Sequence, residues 1–356
     1  MTTTTSYPLP PSLLETPSAW LGKDMAATPD RWLVHLTEAQ VAELETAATR
    51  FLDSGKAIGE MCGDDFVLPE FAGPLADLRR TLIAGIGFQL MRGLPIASYS
   101  REMIAVIFCG IGAHLGKARS QNAMGHLLGH VRDVGADLAD RNVRIYQTAK
   151  RQTFHTDSCD VAGLMCVHQA MEGGDSQLVS TVTLYNELQR RRPDLVPLLF
   201  EPIPMDRRGE VPAGEKPYFE IPVFSWYEGY LSALYQRQYI DSAQLIPGAP
   251  TLSDKKIEAL DLLDALTNDP TLNFSMRLEP GDMQFVHNHT VMHDRTAFRD
   301  WSAPKPKRHL LRLWLSIPGD RPLPEVYKQR YGSVTVGDRG GIITPHTKLT
   351  LPIDID

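Results

Sequence analysis

The chain has 356 residues, 43% of them hydrophobic and 22% charged, which is enough to bury one large core or two modest ones. A net charge of -7 leaves no general basic face of the kind that nonspecific nucleic-acid binding needs. The longest apolar stretch, residues 103–113, is about half a membrane span, so no membrane partner is expected. The N-terminus, MTTTTSYPLPP, lacks the basic and apolar regions of a signal peptide, and a cytoplasmic location is expected. Cys62, Cys109, Cys159 and Cys166 include no C-x-x-C pair and are too sparse for a disulfide scaffold; buried free thiols are expected.

Residues 1–30, rich in Thr, Pro and Ser, read as an extended arm. Thr37 and Gln40 have capping-box spacing at the start of a helix whose apolar stripe is Val41, Leu44, Ala48, Phe51 and Leu52, ending at Gly55. Residues 86–93 read as a buried strand, and residues 100–115 as a helix opened by Ser100. Short strands follow: Val143–Gln147 alternates with period two, and apolar runs occupy 164–171 and 176–183 around the turn Glu172-Gly173-Gly174-Asp175. Residues 184–200 suit a helix. Residues 201–250, with seven prolines, read as irregular. Ser253 caps a helix over 254–267, and strands return at 274–278, 283–286 and 310–317.

Many short strands around a long mid-chain excursion predict a mostly β protein with helical additions, a jelly-roll barrel. The division expected is an arm and helical region over 1–84, a core over 85–320 with an insertion at about 176–275, and an extension over 321–356. Segments as long as that insertion are usually lids or binding loops. Its aromatics, Tyr218, Phe219, Phe224, Trp226, Tyr227 and Tyr230, either roof an apolar substrate or pack the excursion onto the barrel.

Phe154-His155-Thr156-Asp157 places a histidine and an aspartate on the same side of a strand, where both could meet one ion. Downstream, His287, His289 and His293 fall within seven residues, and any of them could be the third ligand. Two imidazoles and one carboxylate form the facial set of non-haem iron oxygenases, which leaves positions open for substrate and O2. Arg308 and Arg312, four apart on a strand flanked by Leu and Trp, face one side. Buried guanidiniums require an anion, either an internal Asp or Glu or a dicarboxylate ligand. The basic run Lys305, Lys307 and Arg308 reads as a small-anion site or a solvated loop.

Taken in order, Gly87-Phe88 with Leu90-Met91-Arg92-Gly93, His155-Thr156-Asp157, Gly173-Gly174-Asp175-Ser176, Gly281-Asp282 with Asn288 and His293, and Arg308 with Arg312 resemble the TauD/TfdA family of iron(II)- and 2-oxoglutarate-dependent dioxygenases over about residues 85–318. The resemblance implies a double-stranded β-helix, the cupin-like barrel. It implies that Fe(II) is ligated by His155, Asp157 and His293. It also implies that Arg312 forks the distal carboxylate of 2-oxoglutarate, with Ser176 as hydroxyl donor and Arg308 near the C1 carboxylate or the substrate. The implied activity uses O2 to oxidise a C–H of a small-molecule substrate while 2-oxoglutarate is decarboxylated to succinate and CO2; hydroxylation, desaturation and ring closure use the same residues.

Tyr146, Arg151 and His289 are candidate substrate contacts, with Arg207 and Arg208 either anion binders or solvated. The chain departs from the family where His287-Asn288-His289 replaces the commoner Asp-Asn-Arg, and where Ser176 replaces Thr. A non-catalytic metal-binding jelly roll acting as sensor or scaffold is the alternative. A zinc hydrolase would need an H-E-x-x-H segment that the chain lacks. A homo-oligomer is left open.

Overall fold

The computed structural model describes residues 8–137, 140 and 142–354. Eleven strands make the frame: β1 (Leu33–His35), β2 (Phe88–Arg92), β3 (Lys117–Ala118), β4 (Leu128–Val131), β5 (Gln152–His155), β6 (Val161–His168), β7 (Ser176–Ser180), β8 (Asn273–Met276), β9 (Met283–His287), β10 (Val291–Arg295) and β11 (His309–Ser316). A seven-stranded sheet runs β1-β2-β9-β6-β11-β3, with β4 also paired to β11. A four-stranded sheet runs β8-β7-β10-β5. Only β1 and β2 pair in parallel; the other pairs in these two sheets are antiparallel. Neither sheet closes on itself among the described residues.

Side-chain alternation explains how the large sheet is covered on both faces. Met91, Met165, Met283, Phe285, Leu311, Leu313 and Leu315 bury against three helices, Glu38–Asp53, Ala72–Ile83 and Arg101–Leu115. The intervening positions Phe88, Leu90, Val286 and Leu310 pack with Leu178, Phe274, Met276 and Val291 of the smaller sheet. On β11 the second register puts Arg312 and Trp314 on the inner side with Leu310. The predicted caps are present: Thr37 accepts from the Gln40 amide, Ser100 from Met103 and Ser253 from Lys256.

Two readings of local structure are corrected. Val143–Gln147 is not a strand; Ile145–Gln147 is a 3-10 turn, closed by Thr148 N–H and Oγ1–H donating to the Ile145 carbonyl. Residues 201–250 are not irregular. Ile203–Asp206 pairs with Tyr218–Ile221, Phe224–Tyr227 forms a hairpin with Tyr230–Ala233, and Arg237–Ala243 is helical. Tyr218, Phe219 and Phe224 are buried, and the last two join a core with Tyr185, Phe200 and the helix Asp254–Thr267. Tyr227 and Tyr230 are exposed. In the N-terminal arm, Trp20 and Met25 are buried and Gly22–Ala27 is helical. Cys109, Cys159 and Cys166 are buried free thiols, whereas Cys62 is exposed. Among the described residues no helix is long and apolar enough to cross a membrane.

The chain after β11 returns over the start of β6. Gly341 N–H donates to the Ser158 carbonyl, and Ile342 N–H to that of Ser120. Gly340, at φ +79°, passes so close that a Cβ would sit 2.8 Å from the Ser158 oxygen. Arg339 is fully buried and donates to Asp160 (2.7 Å) and Asp320 (3.2 Å). The same two carboxylates contact the buried imidazoles: His289 Nε2 lies 3.0 Å from Asp160, and His287 Nε2 lies 3.1 Å from Asp320. Removing one member of a buried ionic network strands its partners. We therefore expect Arg339→Met to lower unfolding free energy by about 3–5 kcal/mol in chemical denaturation; a change below about 1 kcal/mol would contradict this account.

Candidate active site

His155 ends β5 and His293 lies in β10, and the antiparallel register sets them directly opposite each other. Their ring centroids are 4.2 Å apart. Asp157 follows two residues after His155, where its N–H donates to Asn288 Oδ1 (2.9 Å). Ligand atoms of His155, Asp157 and His293 all fall within 4.8 Å of one another. His155 Nδ1–H donates to the Thr153 carbonyl (2.8 Å), which leaves the Nε2 lone pair facing inward. The Gln152 amide lies 2.9 Å from that Nε2 and would have to turn aside for an ion. Trp314 Nε1–H donates to Asp157 Oδ2 (2.8 Å), and Arg312 Nη1 is 3.5 Å from the same oxygen.

Electrostatics suits this set to a cation. Burial pushes the His155 and His293 pKa values down, His293 to about 3 with His155 as its next cause, so both imidazoles are neutral at pH 7. Burial also pushes Asp157 upward, but Arg312, His293, His155 and the Trp314 N–H together hold it down at about 2. Two neutral nitrogens and one carboxylate therefore converge without needing a proton removed.

His287 and His289 are not part of this cluster. The strand stops at His287, a turn at Asn288 reverses the chain, and both imidazoles point to Asp160 and Asp320. His289, expected as a substrate contact, is fully buried in that network. Arg151 is held by Asp294 (2.7 Å) and Asn268 (2.6 Å) and lines neither cavity beside the triad. Arg207 is buried rather than solvated, donating to the Lys216 and Gln329 carbonyls. Arg308 turns inward while Lys305 and Lys307 stay exposed.

Two cavities flank the triad and share Tyr146, Gln152, His155, Asp157 and Arg312 as walls. Tyr146 lies under the Arg312 guanidinium, 4.8 Å from ring centroid to Cζ. The inner cavity is lined by Ser176, Arg295 and Arg308, with Val131, Leu164, Leu278 and Leu310. Arg308 donates to the Gly174 carbonyl (3.1 Å), but its Nη1 has no acceptor; Nε and Nη1 of Arg295 also have none. Gly174, at φ +74°, is required here because a Cβ would meet Arg308 Nε at 2.6 Å. Burial lowers Arg308 to about 10 and Arg295 to about 9, Arg308 being the second cause for Arg295. Arg312 is differently placed: its Nε donates to Gln121 (2.8 Å), and its guanidinium lies over Tyr146 and Trp314. Gln121 and Arg295 are contributors that sequence pattern did not single out, and nothing in their spacing marks them.

The outer cavity is lined by Arg144, Arg208, Arg312 and Arg330, together with Tyr235, Gln236 and Tyr239. Phe219 of the excursion also reaches it.

Neutral buried imidazoles set a pH dependence. His293 and His309 are lowered to about 3 and His289 to about 4, chiefly by burial, from an ordinary 6.5. The unfolded chain therefore binds protons first as pH falls, so stability is full above about pH 6.5 and declines below it. The denaturation midpoint of the metal-free protein is expected to drop steadily between about pH 6.5 and pH 5, with a shallower slope in His309→Gln. A flat midpoint across that window would contradict the assigned shifts.

A family model described as "Taurine catabolism dioxygenase TauD, TfdA family" matches residues 51–314. FR-33289 synthase of Streptomyces rubellomurinus is 34% identical over 300 residues, covering 83% of this chain and 88% of that one. A taurine hydroxylase-like protein of Stachybotrys chartarum is 31% identical over 309 residues, covering 83% and 77%. The fold is similar to that of asparagine oxygenase with Fe(II), 2S,3S-3-hydroxyasparagine and succinate (TM-score 0.61, 16% identity, 80% of this chain and 93% of that one). It is also similar to that of the non-heme iron oxygenase OrfP with Fe and alpha-ketoglutaric acid (TM-score 0.60, 16% identity, the same coverage). The chain belongs to the TauD/TfdA family and is an iron(II)- and 2-oxoglutarate-dependent dioxygenase.

Proposed function

We propose that the enzyme hydroxylates an unactivated C–H of a small organic molecule, with iron(II) held by His155, Asp157 and His293. The observation that carries this reading is the junction of that triad with a cavity whose buried guanidinium N–H groups lack acceptors. Iron bound there supplies the activation of O2 and the oxidising power, while 2-oxoglutarate is decarboxylated to succinate and CO2. A sensor or scaffold that only binds metal gives no account of a dicarboxylate cradle beside the ion.

The roles of the two family-motif arginines are best exchanged. Arg308, not Arg312, is proposed to fork the distal carboxylate of 2-oxoglutarate. It shares the inner cavity with Ser176, and its Nη1 has no protein acceptor. Arg295 adds a second cation. The Ser176 hydroxyl now donates to Gln284 Oε1 (2.9 Å) and can turn to the carboxylate. Val131, Leu164, Leu278 and Leu310 enclose the methylenes and exclude water. Arg312 instead keeps Asp157 ionised and stands between the two cavities. The substrate occupies the outer cavity, beside Tyr146 and Gln236.

The two sheets packed through Leu178, Phe274, Phe88 and Val286 are proposed as the halves of a double-stranded β-helix. Residues 85–320 are then the catalytic core, with 1–84, the excursion at about 176–275 and 321–356 as additions that cover it.

Mixed anaerobically with Fe(II) and 2-oxoglutarate, the protein is expected to give a weak visible charge-transfer band that His293→Ala abolishes and His289→Gln retains. Titration of that band should show Arg308→Gln weakening 2-oxoglutarate binding by more than about tenfold, with a smaller effect of Arg312→Gln. The opposite ranking would return the fork to Arg312. No band in the folded wild type would sink the reading.

A further inference from the structure

Arg308 walls more than the inner cavity. It also lines a basin of about 580 Å3 at the ends of the strands, a size within the range of small-molecule sites. The basin has an apolar floor, made by Ile104 and Ala105 of the helix Arg101–Leu115, Leu128 of β4, Val167 of β6 and Leu311 of β11. Leu310, the neighbour of Leu311, faces the inner cavity instead. Successive residues of β11 thus look into the two spaces from opposite faces of the sheet. Arg308, one residue before the strand begins, borders both. A path past Arg308 therefore runs round the strand ends and breaks no backbone pairing.

In a chain of net charge -7, the basin is cationic. Arg101, Arg132, Lys307 and Arg308 line it, and none of its described lining residues is an acid. Arg101 meets exposed Asp354 at 3.4 Å, a pair that solvent screens. Charges of one sign above apolar walls raise the local concentration of an anion. Arg308 itself is loosely held for a buried guanidinium. Its side chain donates to the Gly174 carbonyl (3.1 Å), while Nη1 has no acceptor. Asp300 fixes the Arg308 backbone rather than its guanidinium, accepting from the N–H (2.7 Å). A smaller recess lined by Gln169, Gly173, Gly174 and Arg277 also ends at Arg308, so the side chain has space in which to turn.

We infer that this basin is a dicarboxylate entry site: 2-oxoglutarate reaches the inner cavity, and succinate leaves it, past Arg308 rather than through the substrate's cavity. The inference rests on the reading that Arg308 holds the distal carboxylate. The outer cavity shares Tyr146, Gln152, His155, Asp157 and Arg312 with the inner one. A dicarboxylate arriving from that side must thread its distal carboxylate past the triad. From the basin, the keto-acid end leads toward the triad and the distal carboxylate comes to rest at Arg308, so the molecule need not turn round inside. Succinate then leaves distal carboxylate first, without crossing the space that the substrate fills.

Stopped-flow mixing of the Fe(II)-loaded full chain with 2-oxoglutarate, without O2, tests this through the charge-transfer band. The slope of the observed rate against concentration gives association, and its intercept gives dissociation. Ala97 and His168 are exposed residues of the basin wall, whereas Gln238 lines the outer cavity. Ala97→Trp and His168→Trp should each slow association and dissociation by the same factor, at least about fivefold, with Kd unchanged, because narrowing a passage alters neither end state. Gln238→Trp should leave both rates at their wild-type values. Slowing in Gln238→Trp alone would place entry on the substrate side and overturn the inference. Wild-type rates in both basin variants would overturn it too, as would a changed Kd without matched changes in the two rates. In each of those cases the band still forms and the oxygenase reading stands; no band in the wild type removes both.

Discussion

A guanidinium cannot lose its charge, so once buried it must find an anion or a full set of acceptors. This requirement sorts the buried arginines of the protein into two kinds. Arg339 is paired internally with Asp160 and Asp320, its Nη1 alone lacking an acceptor, and Arg207 is met by two backbone carbonyls and Glu215. These hold the frame. Arg308 and Arg295 keep N–H groups without acceptors, and Arg330 has a hydroxyl where a carboxylate would be needed. All three face cavities that meet at His155 and Asp157. Buried guanidinium N–H groups without acceptors therefore line the inner cavity beside the His155, Asp157 and His293 cluster, and buried electrostatics of this kind collects where a protein acts on ligands.

Arg312 links the two sets. Its charge helps Asp157 to remain a carboxylate despite burial, and that carboxylate in turn partly compensates Arg312. The Trp314 N–H to Asp157 Oδ2 adds a fixed donor from the same strand, two residues on. Because β11 is paired along most of its length with β6, these two side chains are held by a rigid element rather than by a loop. Groups that orient a ligand in this way act by narrowing its freedom before the ion binds.

The elements most legible in the sequence are those whose signal is local. The Thr37 and Ser253 caps, the 3.6-residue stripe after Thr37 and the placement of His155 and Asp157 two apart all depend on neighbours along the chain. The choice among His287, His289 and His293 depends on where a strand stops. Asn288 reverses the chain, and register with His155 then favours His293; spacing alone left the three equivalent. Residues 201–250 misled because prolines concealed four-residue strands whose stability comes from pairing and from a core shared with distant helices. Val143–Gln147 alternates like a strand, but hydrogen bonds to the Ile145 carbonyl close a turn there. Arg295, Gln121 and Arg330 carry no pattern; their importance appears only when folding removes them from water and sets them against a cavity.

The stretch from Asp157 to Asp160 joins frame and chemistry. Asp157 faces the imidazoles, Ser158 gives its hydroxyl to Arg330 and its carbonyl to Gly341, and Asp160 anchors His289 and Arg339. Four consecutive residues therefore feel the triad, the outer cavity and the returning C-terminal segment together. Displacing that segment would do more than expose a surface. It would remove Arg330 from the cavity and free Asp160, and through the bond from Asn288 N–H to the Asp160 carbonyl it would loosen the residue whose Oδ1 holds the Asp157 amide. In this chain the residues after 320 are part of what makes the site a site, although the motif that suggests the site ends before them.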